Sequence, residues 1–553
     1  MALLAAGALL LGFLGFWDAN PTRSLSDDLY LALSLFPMQS GDNYPGPELC
    51  LEVARYLAPF VALYAAIRAV VTLLTEGTLS WRVRFLRNHA VFAGAGSHAV
   101  RLIEECRKRR LRVVVIQDAA EKAEIQHKGI YRLEVNSMDA AALARARVRH
   151  ARYFFALSPS DSANLDAAND ASALLECPGA PPLAWRGYVH VEHRTMRDVY
   201  RAGPAQGFAA QTGRLNIFSA SDLTARSALA AHPLELRPDQ SVAPMTTLTL
   251  VGFDHLAESL LMHAARIAHY RSGIRLRVRI VDHHQSRSHS LSARHPNLTE
   301  VVDLEIVELH LHDPRFVAVC LEGLPQGTDA MNTVCVCLPD EPSNLDIAFG
   351  LLRSPTNMPL RVLMRPSHYR RVGKDLSGHA AATREFALLA GAAEIWTWEM
   401  VVDEDLDVMA RAAHHDYVEM RRKRPRDKQD DPKDLGLLDW EFLAEDLRDS
   451  NRQQADHLWV KLQAIGITKR KLNPAEIQNI EFTVEEVDVL ARMEHARWIA
   501  ERRLAGWRYA AGKDVANRLN PYLVPFDDLP PEIKEYDREI VRRIPFTLAA
   551  TRR

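Results

Sequence analysis

Apolar positions fall into three regimes along the chain, and each regime predicts a different kind of structure. The first is membrane-like. Met1–Trp17 is an uncharged run, and Tyr56–Leu74 is apolar apart from Arg68; each is about long enough to cross a bilayer as a helix. Between them lies Leu29–Met38, a stretch too short to span. Ser26-Asp27-Asp28 stands at its start as a capping candidate, and Pro37 and Gly41 break its end. From Arg87 onward the pattern changes to short apolar strands alternating with amphipathic helices, the order a parallel sheet needs. Beyond Val401 it becomes helical, interrupted by the charged, Pro-bounded linker Asp427–Lys433.

The first regime reads as an anchor rather than a signal peptide. No positive segment precedes Met1–Trp17, and no A-x-A site follows it before Asp18. Trp81-Arg82-Val83-Arg84-Phe85-Leu86-Arg87 is a basic, aromatic flank of the kind found at a cytosolic membrane edge. Arg68 lies close enough to that edge to snorkel. A half-length helix between two spanning ones is how a re-entrant pore helix is written. Phe36, Met38, Gln39, Ser40, Gly41 and Asp42 would then stand where a selectivity filter stands. Thr-Val-Gly-Tyr-Gly is absent, so selectivity for potassium does not follow from these residues. An amphipathic loop between two plain anchoring helices is the alternative, and both readings stay open.

Length and composition add limits. At 553 residues the chain exceeds one core, and about three or four domains are expected. Hydrophobic content of 48% and charged content of 25% belong to ordinary folded protein. A net charge of -2 supplies no basic field for nucleic acid. The run Arg421-Arg422-Lys423-Arg424 is followed at once by balancing acids and reads as part of a solvated linker. The six cysteines, Cys50, Cys106, Cys177, Cys320, Cys335 and Cys337, form no C-x-x-C pair, which argues for reduced thiols and against a zinc site.

The middle regime carries a phosphate-binding pattern. His89–Ala93 is a short strand running into Gly94-Ala95-Gly96-Ser97-His98-Ala99; helix Val100–Arg110, strand Leu111–Ile116 and Gln117-Asp118 follow. This is a G-x-G-x-x-A turn between strand and helix with an acid about twenty residues on. The glycines permit the turn and let a phosphate approach the helix N-terminus, while the acid suits a ribose hydroxyl. A second copy starts at strand Thr246–Val251, turns at Gly252-Phe253-Asp254-His255-Leu256-Ala257, and ends its next strand at Asp282. The copies match again where Ser158-Pro159-Ser160-Asp161-Ser162-Ala163-Asn164-Leu165-Asp166 parallels Leu338-Pro339-Asp340-Glu341-Pro342-Ser343-Asn344-Leu345-Asp346. Such repetition marks an internal duplication.

The pair resembles tandem TrkA-N/RCK domains, the cytosolic regulators of potassium channels and transporters. The resemblance implies a nucleotide site at Gly94, Gly96, Asp118 and Asn164, and a poorer one at Gly252, Asp282 and Asn344. It departs from the family in three places. Gln117 stands where the acid usually ends strand two, the Gly-Asp pair expected near Asn136-Ser137 is missing, and Asp254 replaces a glycine and would repel a pyrophosphate.

At the far end, Met493-Glu494-His495-Ala496-Arg497-Trp498, Gly506-Trp507-Arg508-Tyr509, Asn520-Pro521-Tyr522-Leu523-Val524-Pro525-Phe526 and Leu529-Pro530-Pro531-Glu532 follow one another as helix, tight turn, Pro-bounded loop and helix. This resembles the ryanodine-receptor (RyR) domain, a helical module of animal calcium-release channels. Glu494, Arg497 and Trp498 share one helix face by their i, i+3, i+4 spacing. With Trp507 and Tyr509 they could sandwich a base and hold its edge or phosphate, or could simply fill a core. No nucleophile elbow, H-E-x-x-H, Walker lysine loop or kinase set occurs.

The expected fold class is therefore multidomain: an α-helical transmembrane segment, two α/β Rossmann-like (RCK/TrkA-N) domains, and an all-α RyR-like C-terminal domain. The expected boundaries are 1–80 for the pore-like region, 85–235 and 244–400 for the Rossmann-like domains, 401–436 for a helix and charged linker, and 437–553 for the RyR-like domain. By resemblance, the expectation is a homotetrameric, nucleotide-gated cation channel of the inner membrane, its bulk cytoplasmic, that is not an enzyme. The ligand would be an adenine nucleotide or NAD(H), and the partners the lipid bilayer and a monovalent or divalent cation. A ligand would act by pulling on the linker Thr78–Arg87. The alternatives are a non-conducting, membrane-anchored nucleotide sensor and, more weakly, an NAD-dependent enzyme.

Overall fold

The computed structural model describes residues 2–39, 49–94, 96, 98–118, 130–176, 185–202, 214–234, 246–283, 288, 290–325, 332–356, 358–365, 384–422, 435–467, 477 and 480–550. It divides into two compact units, 1–85 and 86–553.

The described residues of the first unit form three helices, Ala2–Ala19, Leu25–Ser34 and Leu49–Val83. Small residues set their spacing. A Cβ on Gly12 would lie 3.2 Å from the Ala32 Cβ, and one on Gly15 would lie 2.9 Å from the Leu51 Cβ, the close backbone approach that glycine permits between apolar helices. Ala8, Phe16, Ala32, Leu35, Leu51 and Ala54 form the core of this unit. Leu49–Arg68 is long and apolar enough to cross a membrane, with mean hydropathy 1.5, and Leu3–Ala19 is a shorter apolar stretch. The spanning stretch thus starts earlier than the expected Tyr56, and it includes an ion pair between Glu52 and Arg55 at 3.8 Å. The short helix is capped by Ser24, whose Oγ accepts from the Asp27 amide, rather than by the expected Ser26–Asp28. Asp28 is instead fully buried, 3.5 Å from Arg23. Of the filter candidates, Phe36 packs on the helical core, and Met38 (φ 63°) and Gln39 are exposed. Ser40, Gly41 and Asp42 lie outside the described residues.

The second unit holds two six-stranded, all-parallel sheets. In the first, β1 (Ala90–Ala93), β2 (Val113–Asp118), β3 (Ile130–Val135), β4 (Tyr153–Ala156), β5 (Arg186–His190) and β6 (Leu215–Phe218) run in the order 3-2-1-4-5-6. In the second, β7 (Thr247–Val251), β8 (Arg277–Asp282), β9 (Asp303–Glu308), β10 (Asn332–Val336), β11 (Leu360–Met364) and β12 (Arg384–Leu388) repeat that order as 9-8-7-10-11-12. The central strands β1, β7 and β10 are buried along their whole length, as expected for strands covered on both faces. Phe92 on β1 sits in register with Phe155 on β4, their rings stacked 4.5 Å apart. Both sheets therefore place a topological switch point, the usual ligand crevice of such folds, between the first and fourth strands.

Residues 392–401, of which all but Val401 were assigned by sequence to the second domain, pack against the first. Ile395, Trp396, Trp398 and Val401 join the core of Leu102, Phe155 and Tyr188, because apolar side chains this large need burial and the first domain offers a face for it. Arg109 fixes the segment, pairing with Glu399 at 2.6 Å and lying 4.8 Å over the Trp398 ring.

The C-terminal region is helical apart from a two-residue ladder between Arg508–Tyr509 and Leu519–Asn520. Its first long helix runs from Val408 to Arg422. Helix Val484–Leu504 starts at a capping box made by Thr483 and Glu486. Its Val487, Leu490 and Ala491 share one core with Leu260, Leu261 and Ala264 of helix His255–Ile267, so the RyR-like region buries its apolar face against the second Rossmann-like domain.

Histidines line that junction. The His457 imidazole donates to the His269 carbonyl at 2.9 Å, and His263 lies 3.8 Å from Asp456. Burial pushes His263 down to about 4 and His269 down to about 3. Unfolding therefore takes up protons between the ordinary histidine value and these lowered ones, and across that range stability falls as pH falls. Melting of the full-length protein in micelles should hold steady above about pH 7 and drop between about pH 6.5 and 5. His263→Gln should flatten that drop; an unchanged melting temperature from pH 7 to pH 5 would contradict the burial assignment.

Candidate functional site

β1 ends at Gly94, where φ is +81° and a Cβ would lie 2.8 Å from the Ser158 backbone. A Cβ on Gly96 would meet the Leu157 carbonyl oxygen at 3.1 Å. Both glycines let the first turn press against the β4 turn. Helix Ala99–Lys108 begins at this turn, and its N-cap, His98, makes no side-chain capping bond. Among the described residues no side chain accepts from the first amides of that helix, the arrangement that receives a phosphate, and the Ala99 amide donates to the Gly96 carbonyl at 2.9 Å. His98 stacks on Trp396 at 4.9 Å with the rings 4° from parallel, and His190 meets the same indole edge-on at 4.9 Å. Burial lowers the pKa of His98, which favours the neutral ring.

The strand-two residues divide as the sequence did not foresee. Asp118 is the last residue of β2. Gln117 is 5% exposed, and its Nε2 has no hydrogen-bond partner. A buried amide donor without a partner, at the strand end where a ribose is held in this fold, is an open valence for a ligand.

Asn164 takes a different role from the one carried over from the family. Its Oδ1 accepts from the Ser158 amide at 2.7 Å, and its Nδ2 donates to the carbonyls of Ser158 at 2.8 Å and His190 at 2.9 Å. Both Nδ2 protons are used, so the side chain latches the β4 turn to the end of β5 and has no donor left for a ligand. Asn344 repeats the turn half of this latch in the second domain, with the Leu338 amide at 3.0 Å and the Leu338 carbonyl at 2.8 Å.

The second turn is closed. Gly252 has φ +76°, and a Cβ there would lie 2.6 Å from Leu338 Cδ2. Asp254 caps helix His255–Ile267, its Oδ1 accepting from the amides of Leu256 and Ala257 at 3.0 and 3.1 Å. Its other oxygen pairs with Arg365 at 2.6 Å. The chain's own carboxylate thus occupies the place of an incoming anion. Asp282, at the end of β8, is buried and accepts from the His283 amide at 2.9 Å.

In the RyR-like region the predicted group separates. Glu494 is buried and accepts from Lys461 at 2.6 Å and from Arg497 at 2.9 Å, while Arg497 reaches Glu501 at 2.7 Å. Burial alone would raise the Glu494 pKa, but the Arg497 and Lys461 cations outweigh it and hold the carboxyl well below its usual range. These residues form a closed core network. Trp498 and Trp507 do approach one another, through Arg502, whose guanidinium lies 5.7 Å from one ring and 5.4 Å from the other. Arg502 Nε is buried without a hydrogen-bond partner. Sequence reasoning missed Arg502, although it stands four positions after Trp498 on the same helix. Tyr509 is 61% exposed, and no ring contact joins it to either indole.

Residues 90–178 match the TrkA-N domain family and residues 473–551 the RyR domain family. No curated protein matches the chain. Among solved structures it is similar to GsuK bound to ADP, with 14% identity over 73% of this chain and 96% of that one and a TM-score of 0.39. It is also similar to the GsuK channel bound to NAD, with 12% identity over 74% and 83% and a TM-score of 0.39. A dipicolinate synthase chain from Bacillus halodurans gives 10% identity over 57% and 93%, with a TM-score of 0.21. The strand order, not these scores, fixes the fold.

The closed network and the aromatic stack differ in a testable way. Glu494→Ala strands Lys461 and Arg497 and should cost about 3–5 kcal/mol of stability, whereas Trp507→Ala, on a half-exposed ring, should cost about 1 kcal/mol. Melting of the full-length variants checks this, and equal losses would contradict the division into core and surface. The chain joins a TrkA-N domain, residues 90–178, to a C-terminal RyR domain, residues 473–551.

Proposed function

We propose that this chain is the subunit of a cation channel of the inner membrane, gated by an adenine nucleotide or NAD(H) bound at the first Rossmann-like turn, and that its cytoplasmic domains regulate rather than catalyse. One observation carries the reading: the first turn is open and the second is closed. At Gly94–Gly96 the helix N-terminus has no side-chain cap, and a buried amide donor, Gln117, waits at the neighbouring strand end. At Gly252 the corresponding helix is capped by Asp254. A diphosphate fits the first turn through the amides of helix Ala99–Lys108, and a ribose hydroxyl suits the Gln117–Asp118 edge. The apolar helices of residues 1–85 supply the membrane part, and several copies, fourfold by resemblance, would enclose a pore.

Coupling follows from the segment that borders the turn. His98 stacks on Trp396, and Trp396 belongs to the stretch that leads out of the second domain and on to Glu404 and Asp407. A ligand that binds one arrangement of this stack better than another shifts the population toward it. A membrane-anchored sensor without conduction is the second reading. It is favoured by the finding that, among the described residues, only Leu49–Arg68 passes as a full-length span.

ADP and NADH are suitable probes, titrated calorimetrically into the full-length protein in micelles. Gln117→Leu, which keeps the side-chain volume and removes the orphan donor, should weaken binding about tenfold. Gly94→Val should abolish it, and Asp254→Asn should leave it unchanged. Binding that is indifferent to Gln117→Leu and Gly94→Val, or that is lost in Asp254→Asn, would overturn the assignment of the first turn.

A further inference from the structure

The central strands of the first sheet begin at one edge, and that edge is built from arginine. β1 opens at Ala90, shortly after Arg87; β2 opens at Val113, next to Arg112; β4 opens at Tyr153, next to Arg152. The parallel register sets these starts side by side, since Ala90 aligns with both Val113 and Tyr153, and neighbouring strands lie about 4.8 Å apart. Backbone bonds draw the adjoining loops together. The Asn88 amide donates to the His150 carbonyl at 2.9 Å, and the Arg152 amide donates to the His89 carbonyl at 2.8 Å. The His89 ring meets the Ala146 carbonyl at 2.9 Å, which brings the end of helix Ala140–Arg145 to the same edge. From there the chain runs through Arg147, Arg149, His150 and Arg152 without an acid.

Charge at this edge is one-sided. Arg87, Arg110, Arg112, Arg145 and Arg152 are exposed, and among the described residues no hydrogen bond or ion pair reaches their guanidinium groups. Nearby carboxylates are few. Glu105 and Glu399 are taken by Lys108 and Arg109, at 2.5 and 2.6 Å. Glu104 and Glu176 stand toward the C-terminal ends of helices Ala99–Lys108 and Asp161–Glu176, two acids against the five exposed arginines. Burial lowers the His150 pKa, and the charges that add to this effect, Arg147, Arg87 and Arg149, are all cations. An exposed cationic surface of this kind attracts anions, more strongly at low salt.

We propose that this arginine edge is a docking surface for the anionic phospholipid headgroups of the membrane that holds residues 1–85. The inference rests on the reading of residues 1–85 as the membrane part. Chain length favours lipid over other polyanions. Helix Leu49–Val83 has 35 residues, roughly 52 Å of α-helix, against about 40–45 Å for a bilayer with its headgroups. A helix that starts at the outer headgroups therefore ends close to the inner ones, and Arg87 follows four residues later. The tether presents the edge to those headgroups at high effective concentration; nothing comparable presents it to nucleic acid. The surface is distinct from the candidate nucleotide site, because β1 begins at the arginine edge and runs into Gly94 at its other end.

Calorimetric titration of the full-length protein in neutral-detergent micelles tests it, with dioctanoyl phosphatidylglycerol, dioctanoyl phosphatidylcholine, inorganic phosphate and an RNA oligonucleotide as probes. Phosphatidylglycerol should bind the parent protein, less tightly as salt is raised, and the other three should bind at least about tenfold more weakly. The combined variant Arg112→Gln, Arg145→Gln and Arg152→Gln should melt like the parent, since it removes no internal partner. It should lose at least about tenfold in phosphatidylglycerol affinity. Each single substitution should lose about threefold to fivefold, which keeps the test decisive if the combined variant is unstable. Glutamine at Arg271, Arg275 and Arg315 of the second domain removes the same charge elsewhere and should change nothing. Equal phosphatidylglycerol affinity in parent and combined variant would overturn the proposal. So would RNA or free phosphate that binds the parent as tightly as phosphatidylglycerol and is lost in the combined variant, since the edge would then serve another anion. Alkaline carbonate extraction separates this failure from failure of the anchor. Protein released from the membrane pellet overturns both, whereas protein retained there without arginine-dependent lipid binding overturns the docking surface alone.

Discussion

The second unit is organised around one buried carboxylate, Asp407. Arg226 reaches it from helix Ala220–Ala231 of the first domain, and Arg452 from helix Glu445–Asp456 of the helical region, each at 2.7 Å. Burial would raise the Asp407 pKa, yet the two guanidinium groups outweigh burial and keep the carboxyl ionised. Arg226 also holds Asp456, and Arg452 also holds Asp449, so neither cation is satisfied by a single acid. Each arginine bridges more than one acid, which makes the network a geometric requirement more than a source of net stability. The network ties the first Rossmann-like domain to the helical region, and the segment 392–401 reinforces the first domain by burying Trp396 and Trp398 in it.

Duplication followed by divergence describes the paired domains. Strand order, the turn glycine with positive φ and the asparagine latch are the same in both. These features serve the fold itself. The difference lies at the helix N-terminus after each turn, uncapped in one and capped by Asp254 in the other. One copy is thereby left with a place for an external anion and the other supplies its own.

Much of this was legible in the sequence because local rules write it. The glycine turns, the alternation of strand and helix and the repeated Asn-Leu-Asp segment each depend on residues close together in the chain. The asparagine signal was sound, but it marked a backbone latch and not a ligand contact, since a turn that must be tied down asks for the same residue type as a binding loop. Contacts across long sequence separations were not legible. The packing of Trp396 against His98 and the division of the RyR-like residues into a core network and a Trp498–Arg502–Trp507 stack depend on tertiary geometry that spacing alone does not encode. In the membrane-like unit the apolar runs were visible, but the long helix starts at Leu49, ahead of the apolar run that announced it.

The central claim is that nucleotide at the first turn controls ion passage. Potassium and calcium flux from liposomes holding the purified full-length protein, with and without ADP or NADH, tests it most directly. Flux that appears or changes with nucleotide in the parent protein, and that loses this dependence in Gln117→Leu, is the result the account predicts. A folded, correctly inserted protein that binds nucleotide but passes no ion under any condition would contradict it and leave the anchored sensor standing.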